Sequence, residues 1–205
     1  MVLSWRKTSA VIALLSLGTA AMLAQGNPFD THKAFSATMV VEAGAKGSAQ
    51  MKMYRSGSKM RVDMPAGTGA NGYIVTDLDA HISYMVMGPA MCMKMPVQPH
   101  RNPFAAASNA KIERTPAGTD TVDGHPCKVE NVTVTGQDEK PVKMKVWEAD
   151  DLQGFPVKIQ VENPQRGNGT VLYKDISFET PSASQFTHPD DCREMPTGMG
   201  GMMPQ

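Results

Sequence analysis

The residues best equipped for chemistry in this sequence are its sulfur donors, 17 methionines and three cysteines. All the methionines except Met1 and Met22 lie beyond residue 24, where the only leucines are Leu78, Leu152 and Leu172. Methionine has therefore replaced leucine as the large aliphatic side chain. Its unbranched thioether adapts to irregular space, which suits a pliable apolar surface. Met39, Met51, Met53, Met60, Met64, Met85 and Met87 all fall in segments of period-two patterning, so they are candidates to line one face for a greasy ligand. Thioethers are also soft donors that select Cu(I) over harder ions. Two groups have the density for that alternative: Met91, Met93 and Met95 with His100, and Met195, Met199, Met202 and Met203. Alternation in the first group places the intervening Cys92 on the opposite face.

The cysteines are Cys92, Cys127 and Cys192. An odd number leaves at most one internal bridge and one thiol over. Three pairings are open. Cys92 with Cys127 is favoured here because both adjoin strand-like segments, whereas Cys192 adjoins a Gly/Met/Pro-rich end.

Other constellations point away from catalysis. The histidines, His32, His81, His100, His125 and His188, lack the H-x-H or H-E-x-x-H spacing of a zinc site. No G-x-S-x-G elbow occurs. Asp150-Asp151 and Asp190-Asp191 read as turn or cap residues rather than acid–base partners. Residues 67–72 match G-x-G-x-x-G, but a strand-like segment follows where a phosphate-binding loop needs a helix, so they read as a hairpin loop. The expectation is a non-enzymatic protein without a resident cofactor, copper being the alternative.

The elements that must position these side chains are mostly strands. Phe35, Ala37, Met39 and Val41 alternate with more polar residues, as do Met51 and Met53, then Met60, Val62 and Met64. Gly44–Gly47 and Ser56-Gly57-Ser58 separate them, giving a meander of hairpins. Further strands are expected at Tyr73–Leu78, Ile82–Met87, Met91–Met95, Lys128–Thr135, Val142–Val146, Val157–Val161 and Val171–Phe178. Helix is confined to Phe104–Ala110 and a single turn at Ser182–Phe186. Nine or ten strands with so little helix favour an antiparallel sheet curling around its own apolar face.

The N-terminus addresses the compartment. Arg6 and Lys7 precede an apolar stretch, Ala10 to Leu17, and then small residues, which is the layout of a secretory signal peptide over residues 1–24. That stretch is shorter than the ~20 apolar residues a membrane span needs. Residues 33–195 then form one domain, and 196–205 a disordered tail. The chain has 20 basic and 20 acidic residues. Loss of Arg6 and Lys7 leaves a slight acidic excess, which argues against nucleic acid as a partner. The expected product is periplasmic or secreted and is not an integral membrane protein.

Four blocks carry a family resemblance: Lys59-Met60-Arg61-Val62-Asp63-Met64; Ser83-Tyr84-Met85-Val86-Met87 leading to Cys92-Met93-Lys94-Met95-Pro96; Val122-Asp123-Gly124-His125-Pro126-Cys127-Lys128-Val129; and Val146-Trp147-Glu148 through Gly154-Phe155-Pro156-Val157-Lys158. Together they resemble the exported bacterial outer-membrane lipoprotein carrier or lipoprotein-sorting (LolA-like) proteins, in particular a subgroup of undefined function. The resemblance spans roughly residues 35–195. It implies a strongly curved antiparallel half-barrel, short closing helices and an apolar cavity for acyl chains, with a lipid or lipidated protein as partner. The sequence departs from the well-studied carriers in two ways. Thr31 to Phe35 runs directly into a strand where a long lid helix is expected, and the cavity side is methionine rather than leucine or aromatic.

Overall fold

The computed structural model describes residues 29, 31–42, 47–64, 72–88, 91–97, 110–135, 141–162 and 169–194. They form one 12-stranded, curved, unclosed sheet. The strands are β1 (Ala34–Glu42), β2 (Ser48–Ser56), β3 (Lys59–Asp63), β4 (Gly72–Asp77), β5 (Ile82–Met87), β6 (Cys92–Pro96), β7 (Lys111–Val122), β8 (His125–Thr135), β9 (Pro141–Ala149), β10 (Phe155–Val161), β11 (Gly169–Ser177) and β12 (Arg193–Glu194). Their spatial order is β12-β6-β5-β4-β3-β2-β1-β11-β10-β9-β8-β7. Neighbouring strands are antiparallel except β12, which runs parallel to β6. The half-barrel expectation therefore holds. Helix among the described residues is limited to two 3-10 turns, Asp150–Leu152 and Ala183–Phe186. None of it is long and apolar enough to cross a membrane.

The order explains the sheet's shape. β1 to β6 form a meander on one side, β7 to β11 a second meander on the other, and β1 joins them by pairing with β11. An N-terminal segment closes the joint. Phe29 packs on Phe35, Phe155 and Tyr173 with ring centroids 6.0, 5.7 and 5.4 Å away. Phe155 and Phe35 meet edge to face at 5.0 Å. Such ring pairs contribute about 0.5–1.5 kcal/mol beyond burial itself. Buried Arg55 on β2 ties this segment down, donating to the Phe29 carbonyl at 2.7 Å.

Two sequence expectations are corrected. β7 is a full 12-residue strand that the periodicity did not reveal. It is an edge strand, most of its residues are exposed, and Pro116 and Gly118 flank a bulge, so no alternating apolar face exists to be read. The disulfide joins Cys92 to Cys192, not Cys92 to Cys127. The parallel pairing of β12 with β6 returns the chain to Cys92, while Cys127 is a buried free thiol. The turn expected at Ser182–Phe186 is present. The helix expected at 104–110 lies outside the described residues apart from Ala110, as do the signal segment, the 67–71 loop and the tail.

Candidate functional site

Strand registers gather the methionines onto one face. Reading directly opposed residues across the sheet, Met93, Met85, Ile74, Val62, Met53 and Ala37 form one continuous row. The next row runs Met95, Ser83, Thr76, Met60, Arg55, Phe35. Met51 stands opposite Met39, which stands opposite Tyr173. On the other flank of Met93, the Met64 amide donates to the Gly72 carbonyl at 2.8 Å, Gly72 faces Met87, and the Met87 amide donates to the Met91 carbonyl at 2.8 Å. Side chains alternate along each strand, so all these residues belong to the same side of the sheet.

The seven candidate lining residues divide by depth. Met53 and Met60 are 0 % and 4 % exposed and belong to the packed core beside Phe35 and Ala37. Met39 is half-buried and packs against that core. Met51, Met64, Met85 and Met87 are also half-buried. Their row neighbours Val62 and Ile74 are half-buried too, and sequence reading did not include them in the lining. The signal was present, because both continue the period-two pattern of Met60 and Met64 or of Thr76.

Gly72 lets a methionine close over the strand. A Cβ there would lie 3.1 Å from the Met64 sulfur and 3.0 Å from the Val86 carbonyl. The missing side chain lets the Met64 thioether fold against the strand backbone and cover Gly72, which is buried.

The reverse face of the same strands is covered. Phe186 of the second 3-10 turn is buried, as are Val75 and Val86 beneath that segment's side of the sheet. Arg61 lies 3.9 Å from the Tyr73 ring centroid and donates to the Gln185 carbonyl at 3.1 Å. Tyr73 donates to the Thr187 carbonyl at 3.3 Å, and Tyr84 stacks on His188. The Cys92–Cys192 bond fastens the end of this strap. On the methionine side the N-terminal segment packs through Phe29 on Phe35, while Met39, Met51, Met64, Met85 and Met87 stay half-buried.

The apolar face ends at β7–β9 in a charged cluster. Along the same face Val41, Val171, Ile159 and Val146 lead to Glu130, and Val161, Met144 and Val132 lead to Arg114. Arg114 donates to Glu130 at 2.5 Å and to Glu148. Its side chain is 11 % exposed. Burial raises the Glu148 carboxyl above its ordinary range despite the guanidinium beside it. The cluster is internally satisfied and marks where greasy surface gives way to polar.

Of the metal candidates, Met91, Met93 and Met95 lie among the described residues, all at odd positions of the β5–β6 hairpin with Cys92 on the opposite face. Met93 and Met95 share the methionine face, and Met91 is 51 % exposed at the hairpin end. The disulfide removes the Cys92 thiolate as a donor. His100, Met195, Met199, Met202 and Met203 lie outside the described residues. No group of three His, Cys, Asp or Glu side chains converges on a common point among the described residues.

A separate hollow of about 450 Å³ sits at the β7–β8 hairpin, lined by Thr119, Asp120, Thr121, Pro126, Cys127 and Asp150. It is open and mixed in polarity. Asp120 there accepts from the Trp147 indole at 2.9 Å, which lowers its pKa. Burial pushes the Cys127 thiol up, which opposes a nucleophilic role. Asp150 and Asp151 start the first 3-10 turn and bond Lys128 and His125 at 3.1 and 2.8 Å, as expected of turn residues.

No family model matches the sequence, and no curated protein matches it. Solved structures do. The MucA/MucB complex of Pseudomonas aeruginosa matches with 16 % identity over 82 % of this chain and 60 % of that one, TM-score 0.48. Lipoprotein LppX of Mycobacterium tuberculosis matches with 9 % identity over 75 % of this chain and 91 % of that one, TM-score 0.47. A LolA superfamily protein of Nitrosomonas europaea matches with 10 % identity over 77 % of this chain and 91 % of that one, TM-score 0.42. The chain spans about three-fifths of the length of the MucB chains it matches.

Proposed function

We propose that this chain is a non-catalytic carrier that holds a hydrophobic ligand, a lipid or the acyl chains of a lipidated protein, against the methionine face. One observation carries the reading: rows of half-buried thioethers and aliphatics run across one side of an unclosed sheet, while a disulfide-fastened strap occupies the other. A curved apolar surface of this kind removes an acyl chain from water at roughly 0.8 kcal/mol per buried methylene. Flexible thioethers accommodate chains of varied shape, as a carrier with more than one cargo requires. The packed Met53 and Met60 serve as the floor, and Met39, Met51, Met64, Met85 and Met87 as the adaptable surface around it.

Export to the periplasm belongs to the same proposal. Its support is the signal-type N-terminus together with the Cys92–Cys192 bond, since disulfides persist in oxidising compartments. The test is mass spectrometry of an organic extract of the full chain purified from its exported fraction. Lipid recovered at near one molecule per chain is the expected result. A lipid-free extract from protein that also fails to take up added fatty acid overturns the carrier reading.

A further inference from the structure

We propose that the β5–β6 hairpin is a thioether site for a soft monovalent metal ion, Cu(I), built from Met85, Met87, Met91 and Met93. The site shares Met85 and Met87 with the proposed ligand face, but its argument does not rest on the carrier reading.

Five methionines occur between residues 85 and 95, all at odd positions. Met85 is directly opposite Met93, and the 2.8 Å bond from the Met87 amide to the Met91 carbonyl closes the next odd pair. The hairpin therefore sets two cross-strand methionine pairs side by side on one face. Opposed residues have Cβ atoms about 4.5–5.5 Å apart, within reach of one another's long side chains. With three rotatable bonds each, thioethers in this arrangement can turn three or four sulfurs onto one ion.

The surroundings favour such an ion over other occupants. Met91 is 51 % exposed, so core packing does not account for its thioether, and the site has an entrance. Gly72 opposes Met87 across the β4–β5 pair, and the group that fills the space over it is another thioether, that of Met64. Lys94 pairs with Tyr84 and lies on the other face. Cys92 is committed to the disulfide. What remains is an uncharged all-sulfur donor set, which suits Cu(I) and disfavours magnesium, calcium or zinc.

The test is anaerobic titration of the full chain with Cu(I) against a chromophoric Cu(I) chelator. Ag(I), a redox-inert mimic, is then followed through the methyl NMR signals of methionine. One ion per chain is expected, with the Met85, Met87, Met91 and Met93 methyls shifting together. Leucine is close in volume and apolar, so M85L/M93L keeps the greasy face while removing two donors. It should weaken Cu(I) by at least tenfold with unchanged thermal midpoint. M91L should weaken it as well. The proposal is overturned if the wild type fails to compete with the chelator. It is equally overturned if M85L/M93L binds as tightly as wild type, or if loss appears only on replacing Met195, Met199, Met202 and Met203.

Discussion

Tyr84 lies flat against His188, ring centroids 3.5 Å apart and planes within 13° of parallel. Tyr84 occupies the side of β5 opposite Met85, so this stack shows which face of the hairpin the C-terminal segment has taken. The strap seals Val75 and Val86 and leaves the thioethers on the other side. The carrier reading depends on that division of faces.

The bond between Cys92 and Cys192 spans 100 residues of sequence. Closing a loop of that size constrains the unfolded chain strongly, and removal of such a bridge costs about 2–5 kcal/mol. Cys92→Ser/Cys192→Ser should lose stability in that range by urea unfolding. Non-reducing peptide mapping of the wild type should recover the fragments around residues 92 and 192 joined.

Cys127 is 2 % exposed, donates weakly to the His125 carbonyl at 3.2 Å, and has its pKa raised by burial. Folded protein at neutral pH should therefore resist a thiol-specific disulfide reagent. Denatured, unreduced protein should release one equivalent per chain, and two or more would contradict the pairing.

His32 is buried, stacked on Phe178 at 5.2 Å, with its Nε2 unpartnered. Burial holds the imidazole below its ordinary range, assisted by the charge of Arg55 and opposed by a backbone hydrogen bond to Gln153. The unfolded chain binds a proton here near pH 6.5, while the folded chain binds it only at lower pH. Stability should therefore be unaffected above that value and fall as pH drops through it. Urea midpoints at pH 7.5 and pH 5 should differ less in His32→Phe than in wild type. An equal difference would remove His32 as the cause.

Arg114 holds two carboxylates, Glu130 and Glu148, whose side chains are 26 % and 19 % exposed. Arg114→Met leaves both acids without their cation at a partly dry site, and should cost about 1–3 kcal/mol. Adding Glu130→Gln and Glu148→Gln should restore much of the loss. Chemical denaturation of the single and triple variants separates the two cases.

Much of the sheet was legible in the sequence because one-sided burial writes itself as alternation. Ile82–Met87 coincides with β5, and Val142, Met144 and Val146 fall inside β9. β7 was hidden because an exposed edge strand has no buried face to encode. The Cys92–Cys192 bond was hidden because it depends on a two-residue parallel strand formed after a 100-residue excursion. For the site, period two correctly grouped the methionines by face within each strand. It did not reveal that Met53 and Met60 sit mid-sheet against the aromatic joint, and so pack as core while Met51 and Met85 remain half-buried. That distinction comes from the order of strands, which no local pattern contains.

The most direct test of the carrier reading places charge on the adaptable part of the methionine face. Met51→Glu/Met85→Glu alters two half-buried positions and spares the packed Met53 and Met60. The measurement is displacement of an apolar fluorophore by a long-chain fatty acid, wild type against variant, both verified as folded by circular dichroism. Saturable uptake by the wild type, weakened at least tenfold in the variant, is the predicted result. Uptake that is equal in the two proteins, or absent from the wild type, would contradict it.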